Sequence, residues 1–412
     1  MPPRPVRTSP VRTRLARTRP ARTRAVRTCR AATTAAAGAV LATALAACTS
    51  SGSADPKPAS GDAHTANVTI TAAKGCESDR TEFAAGGITF KISNTDATAV
   101  SEVEVLSGQR IVGEKENLPP GLSGEFAVKL GAGTYTLYCP GAANEKTALT
   151  VTGEASTGDA DVAALLQDAT TGYAAYVNTQ VGYLLETSKK LATALQGTDL
   201  AAAQEAYQAA RPFYEKIEPV AESFTVGSES LDADIDARDG DVPASKWTGF
   251  HRIEKGLFAD KSLTGLAVYG TGLVTDIGKL QRLTSTLTYQ PTELANGAQE
   301  LLDEVAASKI TGEEERYSHI DVLDFANNIE GAEQAFAQLQ PALEKIDAAL
   351  AGTIEQDFAA LDKLVDKYRS TSEKSGYVLY TALTDQDKRE LAAAIKAVQE
   401  PLSRVASKVA DA

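Results

Sequence analysis

The stretch Gly86-Gly-Ile-Thr-Phe-Lys-Ile-Ser-Asn94 alternates apolar and polar side chains between two pairs of turn-forming residues. Residues two apart on a strand share one face, so this pattern predicts a half-buried β-strand. The same alternation recurs in two further segments: Phe126, Val128 and Leu130, and Tyr135, Leu137 and Cys139. We therefore predict about seven short strands in residues 67–153, folded as a small all-β sandwich.

The pattern becomes helical after residue 158. One apolar face is formed by residues at helical spacing: Ile354, Phe358, Leu361, Leu364, Val365 and Tyr368. Capping boxes predict helix starts at three places: Thr311/Glu314, Thr353/Gln356 and Thr384/Asp387. Residues 158–412 are therefore predicted to form an all-α bundle, so the chain is a multidomain protein with its all-β domain first.

The first 47 residues have a different composition from the rest. Residues 1–30 hold ten arginines in an Arg-Thr-rich repeat and no acid, and an apolar stretch of small residues follows in 31–47. A basic segment followed by an apolar one is typical of a signal peptide. The stretch ends in Leu45-Ala-Ala-Cys48, which resembles a bacterial lipobox, and a Ser/Gly-rich tether follows in 48–66. We predict an exported lipoprotein anchored through Cys48 on the extracytoplasmic face of the cell membrane; an ordinary cleavage site is the alternative.

The remaining chain is strongly acidic. The full sequence contains 41 basic and 54 acidic residues, so removing the ten arginines of the signal leaves 31 and 54, a formal charge of −23. An acidic surface disfavours nucleic acid and attracts cations, although solubility alone would also explain it. We expect no nucleic-acid partner.

Two cysteines, Cys76 and Cys139, belong to the predicted sandwich. The segment Gly133-Thr-Tyr-Thr-Leu-Tyr-Cys139-Pro-Gly resembles the last strand and ligand loop of cupredoxins. Residues 67–153 contain no histidine and Met1 is the only methionine, so a blue-copper site is excluded. Thiolate and carboxylate could still hold Cu(II) or iron, and the acidic candidates are Glu102, Glu104, Glu114 and Glu116. A structural disulfide with solvated glutamates is the alternative, which the residues alone favour.

The helical region contains a candidate metal site around one histidine. His251 and Glu254 are three apart, hence neighbours on one helical face, and Glu215, Glu218 and Glu222 share another. Carboxylates from facing helices with one histidine are typical of iron or manganese sites, although glutamates at this spacing are common on solvated helices. The zincin motif is absent, and Lys255 stands where the inverted motif requires a second histidine, which disfavours a zinc hydrolase.

Several long segments resemble the EfeO family of iron-uptake components over about residues 67–405. The segments in the helical region are Tyr214-Glu-Lys-Ile-Glu-Pro-Val-Ala-Glu222, Ile235-Asp-Ala-Arg238, Phe250-His-Arg-Ile-Glu-Lys-Gly-Leu-Phe258 and residues 304–319. Those in the β domain are Cys76-Glu77, Glu114-Lys-Glu-Asn-Leu-Pro-Pro-Gly121 and Tyr138-Cys139. The resemblance implies a cupredoxin-like domain followed by an imelysin-like helical domain, which is grouped with a family of proposed His-x-x-Glu peptidases.

The resemblance also implies a function and a set of ligands. The function is extracytoplasmic iron binding beside a membrane permease and a haem-containing Dyp-type peroxidase, not catalysis. The implied metal ligands are, in the helical domain, Glu215, Glu218, Asp236, His251, Glu254 and Glu315 and, in the β domain, Cys76, Glu102, Glu116 and Cys139. We expect iron as Fe(III) or Fe(II) in the first set and copper or iron in the second. A metallopeptidase or an envelope polymer-binding lipoprotein are the alternatives.

Overall fold

The β domain is a two-sheet sandwich in the computed structural model, which describes residues 64–155 and 158–412 of the chain. Its strands are β1 (Thr65–Thr71), β2 (Gly75–Ser78), β3 (Glu82–Ala84), β4 (Gly86–Asn94), β5 (Val103–Ser107), β6 (Arg110–Lys115), β7 (Ser123–Leu130), β8 (Gly133–Tyr138) and β9 (Lys146–Thr152). The first sheet has the order β2-β1-β4-β7 and the second β3-β9-β8-β5-β6. The all-β prediction is confirmed, with nine strands in place of about seven, because the short β2 and β3 lack a readable alternation.

The alternating segments form the core of this sandwich. Ile88, Phe90 and Ile92 of β4 are almost completely buried, and Phe126 of β7 pairs with Phe90 across the antiparallel ladder. The two rings are stacked with centroids 5.3 Å apart. Packing of β-branched and aromatic side chains on one face is what makes these strands stable next to each other.

Cys76 and Cys139 are joined by a disulfide, and both are buried. In this form neither cysteine supplies a thiolate, so their prediction as metal ligands is corrected: a disulfide sulfur carries no charge with which to bind a cation. The bridge links β2 to the residue after β8 across 63 positions of sequence. It therefore fastens one sheet of the sandwich to the other.

Loss of this bridge is expected to weaken the β domain. In the Cys76→Ala/Cys139→Ala variant the free energy of unfolding should fall by about 2–4 kcal/mol, because the unfolded chain gains the freedom of a long open loop. Urea unfolding followed by circular dichroism measures this. Reductant should lower the stability of the parent protein and leave the variant unchanged. Equal stability of parent and variant under oxidising conditions would contradict the bridge.

The second domain is a helical bundle. Its helices are α1 (Ala160–Ala194), α2 (Leu200–Ala210), α3 (Pro212–Glu215), α4 (Leu231–Ile235), α5 (Gly249–Glu254), α6 (Ala267–Thr284), α7 (Pro291–Ala307), α8 (Asp321–Val365), α9 (Asp385–Leu402) and α10 (Val405–Ala410). The predicted apolar face lies on α8 and its continuation, where Ile354, Phe358 and Leu361 are buried. The predicted bundle is therefore confirmed.

The three predicted helix starts have different outcomes. Thr384 and Asp387 form a capping box at the start of α9, as predicted. Thr353 lies inside α8, so that prediction is wrong. The prediction at Thr311 is also wrong: Gly312 has a left-handed backbone, with φ at 83°, and α8 begins only at Asp321. The Ser/Thr-x-x-Glu pattern reports only local sequence, whereas Glu314 makes contacts with distant residues instead of capping a helix.

Polar side chains join the sandwich to the bundle. Lys115 at the end of β6 lies 2.7 Å from Glu300 and 3.2 Å from Asp303, both on α7. The side chain of Asn296, also on α7, donates to the backbone oxygen of Ala127 at 2.9 Å. These bonds hold one edge of the β domain against α7.

The predicted signal peptide, the lipidation site Cys48 and the tether up to residue 63 lie outside the described residues. The strand β1 begins at Thr65, two positions before the predicted start of the β domain at residue 67. Within residues 64–155 and 158–412, no helix has the length and apolar character needed to span a bilayer.

Candidate metal centre

His251 and Glu254 lie on α5, as the sequence predicts, and both are almost completely buried. Gly249 at the start of this helix has φ at 72°, and a β-carbon there would lie 2.1 Å from the carbonyl oxygen of Ile235. Only glycine permits this approach of two backbones. It brings the first turn of α5 next to Asp236, the residue that follows Ile235.

Two carboxylates converge on the imidazole of His251. Its Nε2 lies 3.5 Å from Asp236 Oδ1 and 3.4 Å from Glu314 Oε1. One ligand atom from each of these three residues lies within 4.8 Å of the others. Neither ring nitrogen of His251 has a hydrogen-bond partner of good geometry among the described residues, although the ring is 1% exposed. We call Asp236, His251 and Glu314 the metal triad.

Glu314 is the residue that sequence analysis missed. It lies in the non-helical segment between Gly312 and α8, within the run Glu313-Glu-Glu315, and the sequence prediction assigned it to a helix cap. The run of three glutamates on a loop was the available signal, but the run does not tell which carboxylate faces inward.

Glu315, the predicted ligand, faces other partners. Tyr207 donates to it at 2.8 Å and the Arg211 guanidinium lies 2.9 Å away, while the hydroxyl of Ser318 bonds its second oxygen. It therefore belongs to the same buried cluster without being a member of the triad.

Glu254 supports the triad from the other side of the ring. Its Oε2 lies 3.5 Å from Nδ1 of His251. Its Oε1 accepts two backbone N–H groups, from Tyr317 at 2.7 Å and Ser318 at 2.8 Å. The two backbone bonds fix Oε1, so Oε2 is presented to Nδ1 of the imidazole, where a carboxylate commonly orients a metal-binding histidine.

Glu215 and Glu218 are not on one helix, contrary to the prediction. The helix α3 ends at Glu215, and a separate short turn begins at Glu218. Asn328 on α8 bonds both carboxylates, at 2.9 Å and 2.6 Å. The Lys309 ammonium bonds Glu218 at 2.5 Å. The two residues therefore form one wall of the cluster, beside the triad.

Arg211 lies at the centre of the buried carboxylates. It is completely buried and forms ion pairs with Glu215, Asp236, Glu314, Glu315 and Asp324. Sequence analysis gave this residue no role. The acidic side chains here outnumber the cations even with Lys309 and Arg238 nearby, and burial raises the pKa of Glu215 and of Asp324 well above the usual range, so part of the cluster holds protons when no metal is bound.

The pKa values of the neighbouring groups reflect this excess of acidic side chains. Burial lowers the pKa of His251, but Asp236, Glu254 and Glu314 outweigh it and raise that pKa to about 10. Burial and the charge of Glu254 raise the pKa of Glu315 to about 8. Burial alone would raise the pKa of Glu314, but the nearby Lys309, His251 and Arg238 hold it well below its usual range. The triad therefore starts with a protonated imidazole, which must release its proton when a metal binds.

Stability of the metal-free protein should fall as pH rises from about 5.5 to about 8. Burial raises the pKa of Glu300 to about 7, of Glu304 to about 8 and of Glu315 to about 8. A pKa that is higher in the folded state means that the folded protein binds the proton more tightly than the unfolded chain does. The resulting contribution to stability is complete at pH values below the pKa in the unfolded chain, and it is lost as pH rises through the pKa in the folded protein.

We expect Tm to be roughly 3 °C or more higher at about pH 5.5 than at about pH 8. Differential scanning calorimetry in the presence of a chelator measures this. A saturating metal should oppose the trend, because its binding at the triad displaces the proton of His251 and therefore becomes stronger as pH rises. A higher Tm at about pH 8 than at about pH 5.5 in the metal-free protein would contradict the raised pKa values of these glutamates.

A cavity of about 480 Å³ opens beside the triad, and both domains form its walls. The β domain contributes Glu102, Glu114 and Glu116, and the bundle contributes the triad members Asp236 and Glu314. Eleven of its twenty lining residues are acidic and two are basic. The predicted β-domain ligands Glu102 and Glu116 thus face the bundle, and the two cysteines are not among the lining residues.

Glu104, a further acidic candidate of the β domain, is not among the residues that line the cavity. It is buried on β5, opposite Glu114 on β6. Burial, together with the charges of Glu102 and Glu116, raises its pKa to about 7. The four glutamates therefore form one acidic edge of the sandwich, and three of them reach the cavity.

A two-sheet sandwich joined to a helical bundle with a buried histidine–carboxylate cluster defines a cupredoxin-like domain followed by an imelysin-like domain. The family profile of the cupredoxin-like domain matches residues 38–151, and that of imelysin matches residues 169–405. The chain is 38% identical over 340 residues to the iron uptake system component EfeO of Escherichia coli K12, covering 82% of this chain and 89% of the relative. The proteins of the same name from Shigella flexneri and Shigella sonnei match equally well. The chain belongs to the EfeO family of iron uptake system components.

Proposed function

We propose that this protein captures iron outside the cytoplasm and delivers it to a membrane permease of an Efe-type uptake system. The metal triad is the capture site, and it binds iron as cargo. The haem-containing peroxidase of the same system is the second proposed partner. Lipidation at Cys48 would keep the protein at the membrane surface, where the permease lies.

The convergence of the triad is the observation that carries this proposal. Three donors of suitable chemistry, one imidazole nitrogen and two carboxylate oxygens, lie within 4.8 Å of one another in a buried site. Carboxylate oxygen and imidazole nitrogen suit iron, whereas Cu(I) prefers sulfur ligands. The five buried carboxyl groups around Arg211 can release protons when a multivalent cation binds, which adds to its attraction.

The same site lacks features that a peptidase would need. Glu254 is the candidate general base, but two backbone N–H groups occupy its Oε1 and the imidazole faces its Oε2. A metallopeptidase uses a free carboxylate to take a proton from metal-bound water. These contacts support a binding role over hydrolysis.

Iron binding should depend on His251. The full-length protein is expected to bind Fe(III), supplied from a weak chelator, at the triad, and His251→Ala should weaken this binding by about 100-fold. Competitive titration with elemental analysis measures the effect. His64→Ala is the matched control, because His64 bonds the backbone oxygen of Gly87 in the β domain. Unchanged affinity and stoichiometry in His251→Ala would exclude the triad as the capture site.

A further inference from the structure

An almost completely buried lysine lies beside the triad. Lys309 begins the short 3₁₀ helix Lys309–Thr311 that follows α7, and it is 1% exposed. Its ammonium bonds Glu218 at 2.5 Å and lies 3.6 Å from Oε2 of Glu314, a member of the triad. Lysine is almost never buried in this way unless its charge is paired. A site that is suited to a metal cation therefore already contains a cation of the protein, next to one of the candidate ligands.

The charge of this lysine is constant in the folded protein. Burial lowers the pKa of Lys309, but the charges of Glu218, Glu304 and Glu314 outweigh burial and raise that pKa well above its usual range. The ammonium therefore keeps its proton near neutral pH. A metal ion bound to Glu314 would lie close to this positive charge, and like charges at such a distance repel strongly in a buried site.

Arg211 and Lys309 are both buried in the cluster, but they are held differently. Arg211 is fixed by ion pairs with five carboxylates and is not among the residues that line the cavity. Lys309 lines the cavity, and its charge is carried on a flexible four-carbon stem. Burial raises the pKa of Glu304, which lines the same cavity, and the charge of Lys309 acts against that rise. The ammonium thus has another carboxylate within electrostatic reach when it moves away from Glu314.

Arg238 also pairs with Glu314, at 2.8 Å, but it is less suited to move. Its guanidinium is shared with Asp241 and Glu313, and its side chain is 20% exposed. Water screens a partly exposed charge, so Arg238 should repel a metal less than the buried Lys309 does.

We infer that Lys309 is a resident counter-cation of the capture site: it balances Glu218 and Glu314 in the metal-free protein, gives way into the cavity when iron binds, and lowers the affinity for iron enough to permit release. This inference rests on the proposed capture of iron and adds to it a residue that sets how tightly iron is held. Binding is then an exchange of cations, in which the contact between Lys309 and Glu314 breaks and a contact between Glu314 and the metal forms. No electron is transferred. A protein that delivers iron has to release it, and a competing charge of its own favours release without a change of ligands.

The variant Lys309→Met tests this inference on the full-length protein. It keeps an unbranched stem of similar length, removes the positive charge, and should raise the affinity for Fe(III) by at least about tenfold. Competitive titration against a chelator of known affinity measures the change, and stopped-flow transfer of iron to excess chelator should show slower release by a similar factor. If Lys309 only maintained the fold, its loss would instead disturb the ligands and weaken iron binding.

Two further substitutions of the same residue separate charge from packing. Lys309→Gln lacks the charge but can still donate a hydrogen bond to Glu218, so it should raise the affinity as Lys309→Met does and serves if the methionine variant does not fold. Lys309→Arg keeps the charge and should bind iron less tightly than either neutral variant. Without metal, Lys309→Met should melt at a lower temperature than the parent protein, because buried carboxylates lose a counter-charge, and saturating Fe(III) should recover part of the loss. Circular dichroism measures both melting temperatures.

Lys216 supplies the matched control. Its ammonium bonds Glu330 at 2.7 Å, and it is not among the residues that line the cavity. Lys216→Met should therefore change the affinity for Fe(III) and the rate of release less than about twofold. Unchanged or weaker iron binding in both neutral variants of Lys309, or an equal gain of affinity in Lys216→Met, would overturn the inference.

The variant His251→Ala distinguishes a failure of this inference from a failure of the proposed function. If His251→Ala loses iron binding while the neutral variants of Lys309 bind as the parent does, the capture site stands and Lys309 is not a competitor. If the neutral variants gain affinity while His251→Ala binds as the parent does, Lys309 competes with the bound ion, but the triad is not the capture site.

Discussion

Glu314→Gln is expected to lower the affinity of the protein for Fe(III) by at least about 100-fold. This carboxylate lies 3.4 Å from Nε2 of His251 and also contacts Lys309 and Arg238. The substitution removes a charged member of the triad and leaves the neighbouring cations to repel a metal there; even residues that only support metal ligands cost about 10–100-fold in affinity when they are lost. Competitive titration against a chelator of known affinity measures the change.

Its neighbours on the same loop supply the controls. Glu313→Gln removes a half-buried carboxylate that lies 3.8 Å from Arg238 and should alter iron affinity less than about threefold. Glu315→Gln should have an intermediate effect, because Glu315 is buried beside Arg211 but outside the triad. A larger loss in Glu315→Gln than in Glu314→Gln would mean that the sequence resemblance identified the ligand correctly and the geometry of the triad did not.

Arg211→Met is expected to lower the free energy of unfolding by about 3–5 kcal/mol at neutral pH. The guanidinium is completely buried among five carboxylates, and its removal leaves those charges without their central cation. Urea unfolding of the metal-free protein, followed by circular dichroism, measures the loss. The loss should shrink at about pH 5.5, where some of the carboxyl groups can take up protons instead.

An exposed arginine provides the comparison for Arg211. Arg369 pairs with Asp366 at 2.7 Å on the surface, and Arg369→Met should cost no more than about 1 kcal/mol. Saturating Fe(III) should restore part of the stability of Arg211→Met, because a bound cation takes over the charge balance. If Arg211→Met lowered the free energy of unfolding no more than Arg369→Met does, the Arg211 guanidinium would not be central to the stability of the cluster.

The features that sequence analysis predicted are those set by local spacing. The alternation of Ile88, Phe90 and Ile92 fixes a strand, and His251 and Glu254 become neighbours because a helix places residues three apart on one face. The resemblance to a family supplied Asp236, which no local pattern distinguishes from other aspartates. These signals were enough for the two domain folds and for two of the groups that surround the imidazole.

The rest of the site depends on contacts between distant segments. Glu314 meets His251 only because a loop after Gly312 turns inward, and the sequence assigned that glutamate to a helix cap instead. Arg211 has the ordinary appearance of a surface helix residue until five acidic partners surround it. The four glutamates of the β domain looked like ligands of their own domain, yet three of them line a cavity whose other wall is the bundle.

If iron reaches the proposed capture site through this cavity, the charge of the cavity also selects the chemical form in which iron arrives. A passage with eleven acidic side chains and two basic ones repels anions, so ferric complexes with citrate or similar negatively charged chelators would be turned away while aquated ions are admitted. The protein would then act downstream of whatever releases iron from such complexes. Rising ionic strength would blunt this discrimination, because mobile ions screen the cavity mouth over about 8–10 Å. In salty or chelator-rich surroundings, the supply of free ion would limit uptake before the affinity of the capture site does.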